Sequence, residues 1–95
     1  MGELKELFKE LLVMLERYGS DSYNPQKRLL KEILYIIDEN NIDSFSQIRS
    51  IYKSLFSPKY GLSEFNIWKD DFTERKRLND KLENIEQRLW EILEY

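Results

Sequence analysis

Histidine and cysteine are both missing from this chain of 95 residues. Without them no side chain changes charge near neutral pH in its ordinary state. A thiolate nucleophile, a zinc site of imidazole or thiolate ligands and a disulfide framework are excluded as well. Long apolar runs are also missing. Glu3, Lys5, Glu6, Lys9 and Glu10 interrupt the stretch from Met1 to Tyr18, so it contains nothing of signal or membrane-spanning length. No segment is low in complexity, and no unit repeats at a period of about 20 to 50 residues. The absence of cysteine fits a reducing compartment. The expectation is a cytoplasmic protein that holds no metal or other cofactor and makes no use of a membrane.

What is present points to one folded domain spanning residues 1–95. The composition, 41% apolar and 35% charged, is that of a globular chain, and its length matches a single hydrophobic core. Aromatic residues make up 14% of the chain, a high share for so small a domain, so the rings must be buried or used. Eighteen acidic residues against fifteen basic ones give a net charge of −3. Nucleic acid is therefore not expected as a partner, because neutralising phosphates needs a positive face. A basic protein is the better match.

Hydrophobic spacing predicts an all-α fold, a compact four-helix bundle-like domain with a long aromatic-rich connector before the last helix. Helix one runs from about residue 3 to residue 18, with Leu4, Leu7, Phe8, Leu11, Leu12, Leu15 and Tyr18 on one face. Gly19 is expected to end it in the left-handed conformation. Helix two starts at Asn24 or Pro25. Its apolar residues Leu29, Leu30, Ile33, Leu34, Ile36 and Ile37 cover more than half the circumference, which predicts the most buried element. Asp43 or Ser44 caps a third helix carrying Phe45, Ile48, Ile51, Tyr52 and Leu55, closed by Ser57-Pro58. The last helix, from about Thr73 to Glu94, sets Leu78, Leu82, Ile85, Leu89 and Ile92 in an alternating four-three seam. That seam suits the bundle's own core and leaves a homodimer open.

The connector from Phe56 to Phe72 does not follow from bundle physics. It contains five rings between residues 56 and 72, too many for a disordered segment, and one glycine. A short extended piece is expected, with Phe65 and Ile67 on one side and Asn66 and Trp68 on the other. Two readings are open for its rings. Phe65, Trp68 and Phe72 can close an end of the bundle, or Tyr60 and Trp68 can stand out as interface anchors, the role in which Trp and Tyr are enriched.

Three runs carry a resemblance. They are Ile48-x-x-Ile51-Tyr52, then Tyr60-Gly61-Leu62-Ser63-Glu64-Phe65-Asn66-Ile67-Trp68, then Asn79 through Leu82 to Leu89-Trp90. Over residues 48–93 the chain resembles a family of small all-α bacterial proteins similar to the immunity proteins of polymorphic or contact-dependent toxin systems. Its Tyr60-Gly61-Leu62 stands where that family has a richer glycine turn. The resemblance implies a stoichiometric inhibitor that binds a toxin, such as a nuclease, and blocks it.

Charge fits such a role, since nucleases are basic and an acidic inhibitor associates faster through electrostatic steering. The candidate partner-binding residues are Asp38, Glu39 and Asp43 at the second turn, and Tyr60, Glu64, Trp68, Asp70 and Asp71 along the connector. Glu3, Glu6 and Glu10 form a further acidic face. Asp70, Asp71 and Glu74 also suit a helix N-terminus, where negative charge is welcome. Glu6 with Lys9 and Glu10, and Glu83 with Glu86 and Arg88, read as ordinary solvated helix faces. Arg75-Lys76-Arg77 reads as a solvated turn, too short and too closely flanked by acid for a nucleic-acid arm. No catalytic residue is assigned, because adjacent carboxylates such as Asp70 and Asp71 rarely point at one site. The alternative to an inhibitor is a structural or adaptor module that self-associates through the Leu78 to Ile92 seam or joins a larger complex.

Overall fold

The computed structural model describes residues 2–39, 44–56, 62 and 65–94. Among these residues the chain forms four α-helices and one turn of 3-10 helix, and no strand. The helices are α1 (Gly2–Tyr18), α2 (Asn24–Glu39), α3 (Ser44–Leu55) and α4 (Phe72–Leu93), and the 3-10 turn is Asp21–Tyr23. The all-α expectation holds, and the described ends lie within one or two residues of those read from spacing. Among the described residues no helix is long and apolar enough to cross a membrane. The radius of gyration, 13.3 Å, is close to the roughly 13 Å of a single domain near 100 residues.

Packing follows the apolar stripes. α1 lies against both α2 and α4, and α3 leans on α2. Leu4, Phe8, Leu11, Met14 and Leu15 of α1 meet Leu30, Ile33 and Ile37 of α2, Ile48, Tyr52 and Leu55 of α3, and the seam of α4 in one core. The seam steps Leu78, Leu82, Ile85, Leu89, Leu93, so its last buried residue is Leu93, with Ile92 half-buried beside it. A helix of 3.6 residues per turn drifts off a strict seven-residue repeat, and that drift moves the last contact by one position. The seam is taken up within the domain's own core. Among the described residues three ion pairs tie the helices outside it: Glu3 to Arg88, Lys5 to Asp38 at 2.8 Å, and Glu16 to Lys31 at 3.7 Å.

Three expectations are corrected. α2 is not the most buried element: it buries three apolar side chains where α1 buries five. The twelve-residue α3 covers only part of its outer face, leaving Leu29, Leu34 and Ile36 half-buried and Tyr35 exposed. Phe45, placed on the apolar face of α3, is exposed in its first turn. Gly19 does not adopt the left-handed conformation. Its N–H continues the helical ladder to the Leu15 carbonyl at 2.8 Å. The glycine is needed instead for space, since a Cβ there would lie 2.6 Å from the Leu15 carbonyl oxygen.

Candidate functional site

The connector's last residues form a mount held against the start of α4 by hydrogen bonds. Phe65 to Lys69 are neither helix nor strand, and their burial alternates as the period of an extended piece requires: Phe65 and Ile67 are buried, Asn66 and Trp68 exposed. A turn bond from the Phe65 N–H to the Leu62 carbonyl, 3.1 Å, holds the near end. Phe65 meets the Tyr23 ring edge to face, with centroids 5.2 Å apart. The far end is held by α4 itself. The Ile67 N–H donates to Asn79 Oδ1 at 2.8 Å, and Asn79 Nδ2 donates back to the Ile67 carbonyl at 2.8 Å and to the Arg75 carbonyl at 2.9 Å. One side-chain amide thus takes the place of a neighbouring strand.

Two large rings stand out of this mount. Trp68 is 72% exposed and Phe72 65% exposed. The Arg75 guanidinium lies 4.3 Å from the Trp68 ring centroid and 5.3 Å from that of Phe72, joining both rings into one platform. Phe72 and Arg75 meet because three residues along a helix return to the same face. Asp71 caps the helix, its Oδ1 accepting from the Thr73 N–H at 3.1 Å and its carbonyl accepting the first helical bond, from Arg75. Lys69 lies over the Tyr18 ring at 5.3 Å, which fixes this end of the site against the end of α1.

The candidates read from the sequence fall into two groups. Trp68, Asp70 and Asp71 lie together at the start of α4, with Trp68 in the platform, Asp70 exposed and Asp71 engaged in capping. Asp38 and Glu39 end α2, near the start of α1, where Asp38 pairs with Lys5. Lys5 and Tyr18 are thirteen residues apart on one helix, so the two groups stand roughly 20 Å from each other. Asp43, Tyr60 and Glu64 lie outside the described residues.

A second feature was not foreseen. Tyr52 and Phe56, with ring centroids 5.0 Å apart, face α4 across an open groove of about 820 Å³ whose other wall carries Glu83, Glu86, Trp90 and Glu94. Burial, and secondarily the charge of Glu83, pushes the Glu86 carboxyl up to about 7. Burial, then Glu94 and Glu86, pushes the Tyr52 phenol up to about 12. Arg88 does not serve this face. Its Nε and Nη2 grip the Glu3 carboxylate at 2.7 and 2.9 Å, and its Nη1 reaches Glu91 at 3.1 Å. The solvated reading fits Glu83 and Arg88, which are exposed, and is corrected for Glu86, which is half-buried. The signal in the sequence was the helical spacing of 83, 86, 90 and 94, an acidic stripe with a tryptophan in its middle. Arg75, read as part of a solvated turn, and Asn79 were likewise passed over as site residues.

Comparison of the chain with models of known families, with curated proteins and with solved structures gives no match.

Proposed function

We propose that the chain is a protein-binding module, an immunity-type inhibitor that neutralises a basic, nuclease-like toxin by one-to-one binding. The observation that carries this reading is the platform: two exposed rings on a backbone pinned to α4. Interfaces draw most of their binding energy from a few such anchors, and a rigid mount reduces the ordering lost on association. The acidic excess of the chain supplies the steering toward a basic partner, with Glu6, Glu10 and Glu39 exposed among the described residues. Binding is the inhibitor's whole chemistry, so the reading assigns no catalytic residue.

The test is co-expression of the tagged chain with the product of the adjacent reading frame. A stable complex together with restored growth is expected, and the double substitution W68A/F72A should abolish both. Full rescue by that variant would remove the platform from the interface. If the neighbouring product is neither toxic nor captured, the inhibitor reading falls.

A further inference from the structure

We propose that the groove between α3 and α4 receives an arginine or lysine side chain of a basic protein partner. Its walls are complementary to an organic cation in two ways. Tyr52, Phe56 and Trp90 offer ring faces and edges, and Glu83, Glu86 and Glu94 offer carboxylates, with no basic side chain among the described lining residues. A divalent metal is the poorer occupant, since no three carboxylates among the described residues are gathered closely enough to share an ion.

The placement of charge along α4 supports the same occupant. A helix C-terminus favours cations, yet the last three turns of α4 carry Glu83, Glu86 and Glu91, the residue after it is Glu94, and no basic residue lies in the last turn. Arg88, the one cation in that stretch, is committed to Glu3 and Glu91. Glu86 is half-buried beside Glu83, and among the described residues the charge acting on it is that like charge. A guanidinium entering from a partner relieves this repulsion and can reach the Trp90 ring, which is 42% exposed. The groove names a second surface for the basic partner proposed above and rests on that reading for the partner's chemistry, but it is separate from the Trp68 platform.

A penta-arginine peptide, with penta-lysine and penta-glutamate as comparisons, tests the groove without any toxin. Titration at low salt into isotopically labelled protein is expected to shift the Trp90 indole N–H and the amides of residues 83–94, with no response to penta-glutamate. The substitutions Glu86→Gln and Glu83→Gln together should weaken penta-arginine binding by at least about fivefold. Glu32→Gln, an exposed acid on α2, should leave it unchanged. Glu86→Gln removes a carboxylate that burial disfavours, so this variant is expected to fold. Binding should also weaken from about pH 8 to about pH 6 as Glu86 takes up a proton, Tyr52 staying neutral and Glu83 and Glu94 being the other charges of the groove among the described residues. Shifts spread evenly over all acidic faces, or equal loss of affinity with Glu32→Gln, would overturn the proposal. Failure of the peptide titration leaves the co-expression result standing, and the reverse holds as well.

Discussion

Asn79 and Ile67 exchange a reciprocal pair of hydrogen bonds, each 2.8 Å long, between one side-chain amide and both backbone groups of one residue. An extended segment at the edge of a helical domain has no strand to pair with, and its buried backbone groups must still be satisfied. The amide answers that need and sets Trp68, the next residue, facing solvent.

Replacing Asn79 with alanine leaves the Ile67 N–H and carbonyl without their partner. The expected loss is about 1 to 3 kcal/mol in urea unfolding, with faster amide exchange at Ile67. Asn79→Asp keeps the acceptor for the Ile67 N–H but sets a carboxylate against the Ile67 carbonyl, so it should be no better than alanine. A stability loss in N79A without faster exchange at Ile67 would show that the connector is held by its buried side chains alone.

Gly19→Ala tests a different kind of constraint. The new Cβ would meet the Leu15 carbonyl oxygen at 2.6 Å and the Leu15 side chain at 3.1 Å. Backbone cannot give way as a side-chain tip can, so the end of α1 must shift. Alanine is ordinarily the better residue in a helix by up to about 1 kcal/mol, whereas here a loss of more than about 1 kcal/mol is expected. A gain in melting temperature would mean that the chain turns at Tyr18 with room to spare.

How far the sequence shows this architecture depends on the range of the interaction. The 3.6-residue spacing of Leu4, Phe8, Leu11 and Leu15 marks a helix, and the alternation of Phe65, Asn66, Ile67 and Trp68 marks an extended piece, because both are local periodicities. The Asn79 clamp joins residues twelve apart and exists only after the connector folds back on α4. Glu86 and Arg88 look like neighbours in the sequence, but residues two apart on a helix do not face each other. Arg88 turns to Glu3, 85 residues away, and among the described residues no cation acts on Glu86. Asp38 illustrates the same limit, its charge being shared with Lys5 of another helix.

Glu86 gives the domain a pH dependence of unusual sign for a carboxyl. Its folded-state pKa of about 7 lies above the ordinary 4.5, so between those values the folded protein holds more protons than the unfolded chain. Stability therefore falls as pH rises through that window and levels off above it. Water at the open groove screens the group, which reduces the effect to about 1 kcal/mol. Glu86→Gln should unfold at higher urea than the parent at about pH 8 and differ little from it at about pH 4.5. An equal difference at both pH values would assign the effect to packing of the amide instead of to ionisation.

Phe65 and Trp68 stand three residues apart on the same extended segment and should respond oppositely to truncation. Phe65 is 6% exposed and packs edge to face on Tyr23, so Phe65→Ala opens a cavity under the connector and should cost about 3 to 5 kcal/mol. Trp68 is 72% exposed, and its contact in the fold is the Arg75 guanidinium above its face. A cation–π contact at an exposed site contributes about 0.5 to 1 kcal/mol, so Trp68→Ala should lower stability by no more than that. The same substitution should remove about 2 kcal/mol or more of partner binding if the ring is an anchor. Parallel urea titrations of the two variants separate the roles before any partner is in hand. If Trp68→Ala destabilises as much as Phe65→Ala, the indole belongs to the core and the platform is not a binding surface. If it leaves stability nearly unchanged, a large exposed ring is being held out of the core by its own fold, which is the physical condition for an interface anchor.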